Sequence, residues 1–249
     1  MKNMNLFEKA ASMIQNSKYT VVLTGAGIST ESGIPDFRSP GTGLWEKIDP
    51  MKALSTEVLY NDPQQFYRVG FELILSIKDA EPNKAHYMLT EMESAGIINL
   101  IITQNIDNLH IKAGSKRVFE VHGNTRTCTC IKCERQYLIN QVKDMVKNNS
   151  IPPKCSCGGI IRPDVVLFGD MLPECFDKGV REVKLADLLI VIGSSLTVGP
   201  VNYLAGICKK LMILNIGDTP FDYRADIIIR EKASAALENI MECLKSKLR

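Results

Sequence analysis

Apolar residues recur along this chain in two rhythms. Over residues 4–16, Met4, Leu6, Phe7, Ala10, Ala11 and Ile14 fall at helical spacing, which predicts a first helix. Then comes Tyr19-Thr20-Val21-Val22-Leu23, a short β-branched run that stops at Gly25 and predicts a buried strand. Four more runs have the same character. They are Ile97–Ile102, preceded by a helix that Gly96 ends, Leu188–Ile192 running into Gly193, Leu211–Leu214 running into Asn215, and Ile227–Ile229.

Apolar strands that end in Gly, Ser or Asn loops and alternate with helices predict an α/β fold with a doubly wound parallel sheet. Ligands of such sheets sit at the carboxyl ends of the strands, which singles out the loops at 24–38, 103–110, 193–199 and 215–219. Two stretches break the alternation. Residues 40–82 carry Pro40, Gly41, Gly43, Pro50, Pro63 and Pro82 around short helical runs, and residues 124–163 hold five of the eight cysteines. The expected organisation is a Rossmann-like domain of residues 1–39, 83–123 and 164–249. A helical module at 40–82 and a metal-binding module at 124–163 together make the smaller domain.

A hydrophobic content of 45% against 23% charged residues is ordinary for a globular chain. The net charge of +2 gives no field that would draw nucleic acid, so no direct nucleic-acid partner is expected. No apolar run approaches the roughly 20 residues that span a bilayer, and the N-terminal residues lack a signal-peptide apolar region. A cytosolic location and no membrane partner are expected. Disulfides are rare in that compartment, so the cysteines read as metal ligands or packing thiols.

Thr24-Gly25-Ala26-Gly27-Ile28-Ser29-Thr30 places a Gly-x-Gly turn directly after a strand, where backbone amides can approach a pyrophosphate. Thr30 stands where a dehydrogenase fingerprint would carry its third glycine. The continuation Gly33-Ile34-Pro35-Asp36-Phe37-Arg38 is a long loop in place of a continuous helix. Cys128-Thr-Cys130-Ile-Lys-Cys133 followed at a distance by Cys155-Ser-Cys157 suits tetrahedral zinc closed by four thiolates, a structural site with no open position. Cys175, Cys208 and Cys243 stand alone and read as packing thiols.

The stretch Gly25-Ala-Gly-Ile-Ser-Thr-Glu-Ser-Gly-Ile-Pro-Asp-Phe-Arg38 resembles the signature of the sirtuin family of NAD-dependent protein-lysine deacylases. Thr103-Gln-Asn-Ile-Asp-Asn-Leu-His110, Val121-His-Gly-Asn124, Gly193-Ser-Ser-Leu196 and Asn215-Ile-Gly217 match further family motifs in family order. The resemblance implies an enzyme that transfers the acetyl group of acetyl-lysine in a protein or peptide to the ADP-ribose part of NAD. Its products would be nicotinamide, O-acetyl-ADP-ribose and free lysine.

Residue by residue, the resemblance implies that Gly25, Ala26, Gly27, Thr30, Asp36, Phe37 and Arg38 hold the NAD phosphates and cover the nicotinamide ribose. It places Gln104, Asn105, Ile106 and Asp107 around the nicotinamide, Asp107 as acceptor of the carboxamide hydrogen bond. Gly193, Ser194 and Ser195 match phosphate and ribose contacts, Asn215 an adenosine contact, and Lys232 or Ala233 a contact to adenine. His122 is the expected general base, since an imidazole with an ordinary pKa near 6.5 can accept a ribose hydroxyl proton at neutral pH. His86 and His110 match family positions for which packing is at least as good a reading.

The resemblance also assigns Cys130 and Cys133 as the first zinc pair. The second pair, Cys155 and Cys157, has one residue between its members where two are usual, so Cys128 stands as an alternative ligand. Val165-Val166-Leu167-Phe168-Gly169 is expected to offer a strand edge to the substrate peptide, with Val198 and Gly199-Pro200-Val201 near a second edge. Family members that take succinyl or malonyl groups place a Tyr and an Arg three positions apart in the helical module. Here Tyr67 is followed by Gly70, and Arg68 lies one step off, which predicts neutral acyl groups, acetyl first. Mono-ADP-ribosyl transfer is the nearest rival activity. A classical oxidoreductase fits poorly, and an idle NAD-sensing adaptor would have lost His122 or Asp107.

Overall fold

The computed structural model describes residues 5–36 and 49–246. Helix α1 (Leu6–Gln15) opens on a capping box in which Asn5 and Glu8 each accept the other's backbone N–H, at 2.8 and 2.9 Å. Strand β1 (Thr20–Thr24) follows, then two short 3-10 turns at Ala26–Ile28 and Thr30–Ser32. Short helices α2 (Pro50–Ala53), α3 (Thr56–Asn61) and α4 (Pro63–Gln65), a π-helical turn at Phe66–Gly70 and α5 (Phe71–Ser76) build the first insertion. The chain returns through α6 (Lys84–Ser94), β2 (Leu100–Thr103), α7 (Leu109–Lys112) and β3 (Val118–Glu120).

The second insertion carries β4 (Gly123–Cys130), β5 (Gln136–Leu138), α8 (Ile139–Lys147) and β6 (Ile161–Val165). After it come α9 (Glu174–Leu185), β7 (Leu188–Ile192), α10 (Tyr203–Ile207), β8 (Lys210–Leu214), β9 (Ile227–Ile229) and α11 (Ala233–Ser246). The six strands of the large sheet are all parallel and ordered β3-β2-β1-β7-β8-β9. This is the Rossmann order, and it reverses at the β1/β7 junction.

The large sheet is apolar on both faces because both are covered, as parallel sheets require. Val22, Ile101, Ile190 and Met212 pack on one side with α1, α6 and α11. Val21, Leu23, Leu189 and Ile213 pack on the other with α9 and α10. At roughly 25 cal/mol per Å² of apolar area removed from water, this two-sided burial is the main driving force for the domain.

The three-stranded antiparallel sheet, ordered β5-β4-β6, belongs to the smaller lobe. Its core is shared between the two insertions: Leu59, Phe66, Tyr67 and Phe71 of the helical part pack with Cys128, Val142, Ile161 and Val165. Tyr67 sits edge-on between Phe66 and Phe71, with ring centroids 5.1 and 5.5 Å away.

Several local expectations shift. Ile97 and Ile98 do not begin a strand. After Gly96 turns left-handed at φ +69°, both residues donate their N–H to Met92 O and close the end of α6, so β2 starts at Leu100. The first strand runs one residue later than its apolar run. Strand β3, half-buried at the sheet edge, was not expected, because Val118-Phe119-Glu120 lacks the fully apolar pattern of its neighbours. Strand β6 crosses the expected boundary at 163/164, pairing with β4 in the small sheet. Among the described residues no helix is long and apolar enough to cross a membrane.

Candidate active site

A cavity of about 1040 Å³ opens at the carboxyl ends of β1, β2, β7 and β8, between the large sheet and the smaller lobe. Its floor is made by the close approach of two glycine loops. Gly27 N–H donates to Gly193 O at 2.8 Å, and a Cβ on Gly27 would lie 2.8 Å from the Gly193 Cα. Gly193 itself is left-handed at φ +61°, where a Cβ would fall 2.3 Å from Ile28 N. No side chain fits at either position, so the backbone is bare where a ligand would meet it.

Gly25, Ala26, Gly27, Thr30 and Asp36 line one wall of the cavity. Gly193, Ser194, Ser195, Val198, Asn215 and Ala233 line another. Phe37 and Arg38 lie outside the described residues. Gln104, Asn105, Ile106, Asp107 and His122 line the inner end, and Val165, Val166, Leu167, Phe168 and Gly169 the side facing the smaller lobe. Four loops far apart in sequence thus meet around one crevice.

At the inner end Asp107 is only 4% exposed. Burial pushes its carboxyl above the usual carboxylate range, while hydrogen bonds from Ser29 Oγ at 2.6 Å and Leu109 N–H at 3.0 Å oppose that shift. Asn105 donates through Nδ2 to Gly25 O and to Ser29 Oγ, both at 3.1 Å. Gln104 donates through Nε2 to Ser194 Oγ at 2.9 Å, tying the β2 loop to the β7 loop.

His122 follows Val121 at the entrance to β4. Its Nδ1 lies 2.8 Å from Gln104 O. A carbonyl can only accept, so Nδ1 carries the proton and Nε2 is left as the basic nitrogen. Burial lowers the pKa of the ring, and the bond to Gln104 partly opposes this, so the imidazole is neutral at pH 7.

His110 lies behind this layer. Its Nε2 is 2.9 Å from Thr24 Oγ1, and its ring stacks edge-on with His86 at 4.9 Å. Burial holds His86 at a pKa of about 4 and His110 at about 3, so both are neutral. Neither lines the cavity.

The four thiols of Cys130, Cys133, Cys155 and Cys157 converge, with all Sγ atoms within 4.8 Å of one another. Cys130 and Cys157 are 3.5 Å apart, and Cys133 and Cys155 are 3.6 Å apart. Four thiolates about 2.3 Å from one tetrahedral zinc stand about 3.8 Å from each other, so the cluster fits one zinc ion. Cys128 lies outside this group. It is buried against the helical insertion, where desolvation pushes its thiol up to about 12. The single residue between Cys155 and Cys157 is accommodated by a turn in which Gly158 N–H bonds Cys155 O at 2.8 Å.

The structure changes the premise of the acyl argument. Tyr67 is fully buried and donates to Ile161 O at 2.5 Å, away from the crevice. A Cβ at Gly70 would lie 2.0 Å from Ala53 O, so this position excludes any side chain. Arg68 is exposed and outside the cavity lining. Leu54, Leu73, Ile74 and Ile77 form an apolar wall there instead, a lining that the helical periodicity of 71–77 could have suggested.

Sequence reasoning also passed over Ser29, which bridges Asn105 and Asp107. Glu31 went unassigned too. It accepts from Ser234 Oγ at 2.7 Å and fixes the start of α11 to the first glycine loop. Both side chains act across the fold, so nothing local marks them.

The Rossmann strand order, the glycine floor and the convergence of polar groups at the switch point define a dinucleotide-binding α/β protein with a four-cysteine module. The sequence model of the Sir2 family matches residues 25–200. NAD-dependent protein deacetylase 2 of Caldanaerobacter subterraneus is 60% identical over 99% of this chain and 99% of its own length. NAD-dependent protein deacetylase of Saccharolobus solfataricus is 47% identical over 98% and 99%. A Sir2 structure with a deacetylated p53 peptide and 3'-O-acetyl ADP ribose superimposes with a TM-score of 0.91 at 38% identity, covering 96% of this chain and 98% of that one. The chain belongs to the Sir2 family.

Proposed function

We propose that this protein is an NAD-dependent protein-lysine deacetylase that moves the acetyl group of acetyl-lysine to ADP-ribose and releases nicotinamide, O-acetyl-ADP-ribose and lysine. The observation that carries the reading is the orientation of His122. Its Nδ1–H is fixed on Gln104 O, which leaves a basic Nε2 on a ring that lines the crevice. Relatives named NAD-dependent protein deacetylases and a Sir2 structure with an acetylated peptide, 36% identical to this chain over 99% of it, support the same reading.

NAD, when bound, supplies the ribose carbon that accepts the acyl oxygen and the nicotinamide that leaves. The chain supplies the rest. The Ala26 N–H, carried on the bare glycine turn, and the hydroxyls of Ser194 and Ser195 hold the phosphates and ribose, and Asn215 and Ala233 flank the adenosine end. Asp107 accepts the carboxamide hydrogen bond, and Asn105 and Ser29 keep its carboxylate in place. His122 Nε2 takes a ribose hydroxyl proton, which makes that oxygen a nucleophile.

A zinc ion held by Cys130, Cys133, Cys155 and Cys157 stiffens a module with few apolar residues of its own. The acyl-lysine peptide lies along Val165–Gly169 and Val198. The apolar wall of Leu73, Ile74 and Ile77 suits a neutral acyl tail, and a Sir2 structure with a propionylated peptide, 36% identical, is a precedent. Cysteines grouped as metal ligands are the usage of a reducing compartment, which supports a cytosolic location.

Mass spectrometry of an acetyl-lysine peptide incubated with the protein, with and without NAD, tests the proposal. Expected are NAD-dependent loss of acetyl, an acetylated ADP-ribose product, and almost none of either with His122→Ala. ADP-ribose found on protein while the peptide keeps its acetyl group would establish the transferase instead. Bound NAD with no turnover would establish the adaptor.

A further inference from the structure

The segment expected to hold the substrate peptide is not a regular strand edge. Strand β6 ends at Val165, and residues 166–170 fold back on themselves. At the centre of that fold stands Arg162. Its Nη1 donates to Asp170 Oδ1 at 3.0 Å, and its Nη2 donates to Asp170 Oδ2 at 2.5 Å and to Val165 O at 3.0 Å. Asp170 Oδ2 also accepts from Leu167 N–H at 2.8 Å, and Asp170 N–H donates to Leu167 O at 3.0 Å. The two side chains are only 18% and 20% exposed. A planar guanidinium, a carboxylate and the backbone of three residues thus close one small loop.

The outer side of the loop is pinned as well. Phe168 N–H donates to Leu54 O at 2.9 Å, and Thr56 N–H donates to Phe168 O at 2.9 Å. Gly169, left-handed at φ +96°, lies so close to Thr56 that a Cβ would be 2.5 Å from Thr56 Oγ1. Both backbone polar groups of Phe168 are therefore committed to the 54–56 segment, as one parallel bridge with Ser55. The pairing edge offered to a peptide has the shape that Arg162 and Asp170 give it. Among the described residues the backbone groups bonded by this pair are those of Val165 and Leu167, and Tyr60 also bonds Arg162. The loop meets the His122 layer through backbone alone, where Val166 N–H donates to His122 O at 2.9 Å, while the His122 ring is held separately on Gln104 O.

We propose that Arg162 and Asp170 are positioning residues for the acyl-peptide, setting peptide affinity through the shape of Val165–Gly169 while leaving NAD binding alone. This rests on the deacetylase reading, which supplies the peptide. Removing either charge frees the loop, so that binding must first order it, and that ordering lowers affinity without touching the chemistry. Because the two residues act as one unit, losing both costs little more than losing one.

The test measures binding of a fluorescent acetyl-lysine peptide by anisotropy, NAD binding by calorimetry, and steady-state kinetics. The proteins are wild type, Asp170→Asn, Arg162→Met, the double variant and Asp170→Glu, each held below its measured melting temperature. Expected for each single variant is about a tenfold rise in peptide Kd and KM. NAD affinity stays within about twofold, kcat at saturating peptide falls by no more than a few-fold, and the double variant resembles the singles. Asp170→Glu keeps the carboxylate and most of the peptide affinity. A lower melting temperature with unchanged peptide KM overturns the inference, and so does a parallel loss of peptide and NAD affinity. Wild-type protein that neither binds nor deacetylates the peptide overturns the deacetylase reading, which the variants then cannot rescue.

Discussion

The Ser29 hydroxyl, from the loop after β1, donates to the Asp107 carboxylate, from the loop after β2, over 2.6 Å in a site almost closed to water. Two parallel strands bring together residues 78 positions apart, and with Leu109 N–H on the other oxygen the bond fixes the plane of the carboxylate. Asp107→Asn is expected to lower kcat/KM by on the order of a hundredfold, because an amide cannot accept at every position the carboxylate can. Ser29→Ala leaves a buried carboxylate short of a donor and is expected to cost roughly tenfold. Steady-state kinetics with varied NAD, together with nicotinamide exchange, measures both.

The His122 pKa lies below the ordinary value because burial disfavours the charged ring. The basic form is the active one, so kcat/KM rises with pH through that pKa and then levels off. The plateau is expected to be reached at lower pH than an exposed imidazole, near 6.5, would allow. A pH–rate profile locates the acidic limb. A limb centred above pH 6.5 would remove His122 as the titrating base.

His86 and His110 supply a stability prediction. Their folded-state values of about 4 and about 3 lie below the unfolded value near 6.5. Above pH 6.5 both states hold neutral imidazoles, and no proton binding favours unfolding. As pH falls from 6.5 towards the folded values, the unfolded chain takes up protons that the folded one excludes, so stability drops. The loss is about 2 kcal/mol per histidine at pH 5. Urea unfolding of wild type and His86→Leu at pH 7.5, 6.5 and 5.5 reads the slope, which should be shallower in the variant.

Metal analysis tests the cysteine assignment. One zinc per chain is expected in wild type and in Cys128→Ala, and none in Cys157→Ala. A strong chelator should lower the melting temperature and release the thiols to a colorimetric reagent. Zinc lost from Cys128→Ala and kept in Cys157→Ala would reverse the assignment.

Much of this was legible beforehand because parallel strands buried on both faces spell themselves out as unbroken apolar runs, as Leu188–Ile192 does. The site loops were legible for a related reason: each follows such a strand, and the fold brings strand ends together. Strand β3 was hidden because an edge strand half-open to solvent needs no apolar run. The identity of the second cysteine pair was ambiguous in sequence, and only the turn at Gly158 shows how Cys155 and Cys157 reach one point.

Other features have no local signature at all. Tyr67 promised a polar group in the acyl pocket, yet the π-helical turn at Phe66–Gly70 turns it into the core, where Ile161 O accepts its proton. Arg162 and Asp170 are eight residues apart with nothing in their spacing to join them, and neither entered the sequence-based site. Ser29 and Glu31 stand inside a recognisable motif, but their partners Asp107 and Ser234 belong to other parts of the chain.

The smaller lobe owes its single core to two separate excursions of the chain, one leaving between β1 and β2, the other between β3 and β7. A lobe hung on both connections cannot tilt on its own. The zinc cluster belongs to the same lobe as the helical insertion, so a metal that stiffens one excursion of the chain also steadies the other through the core they share.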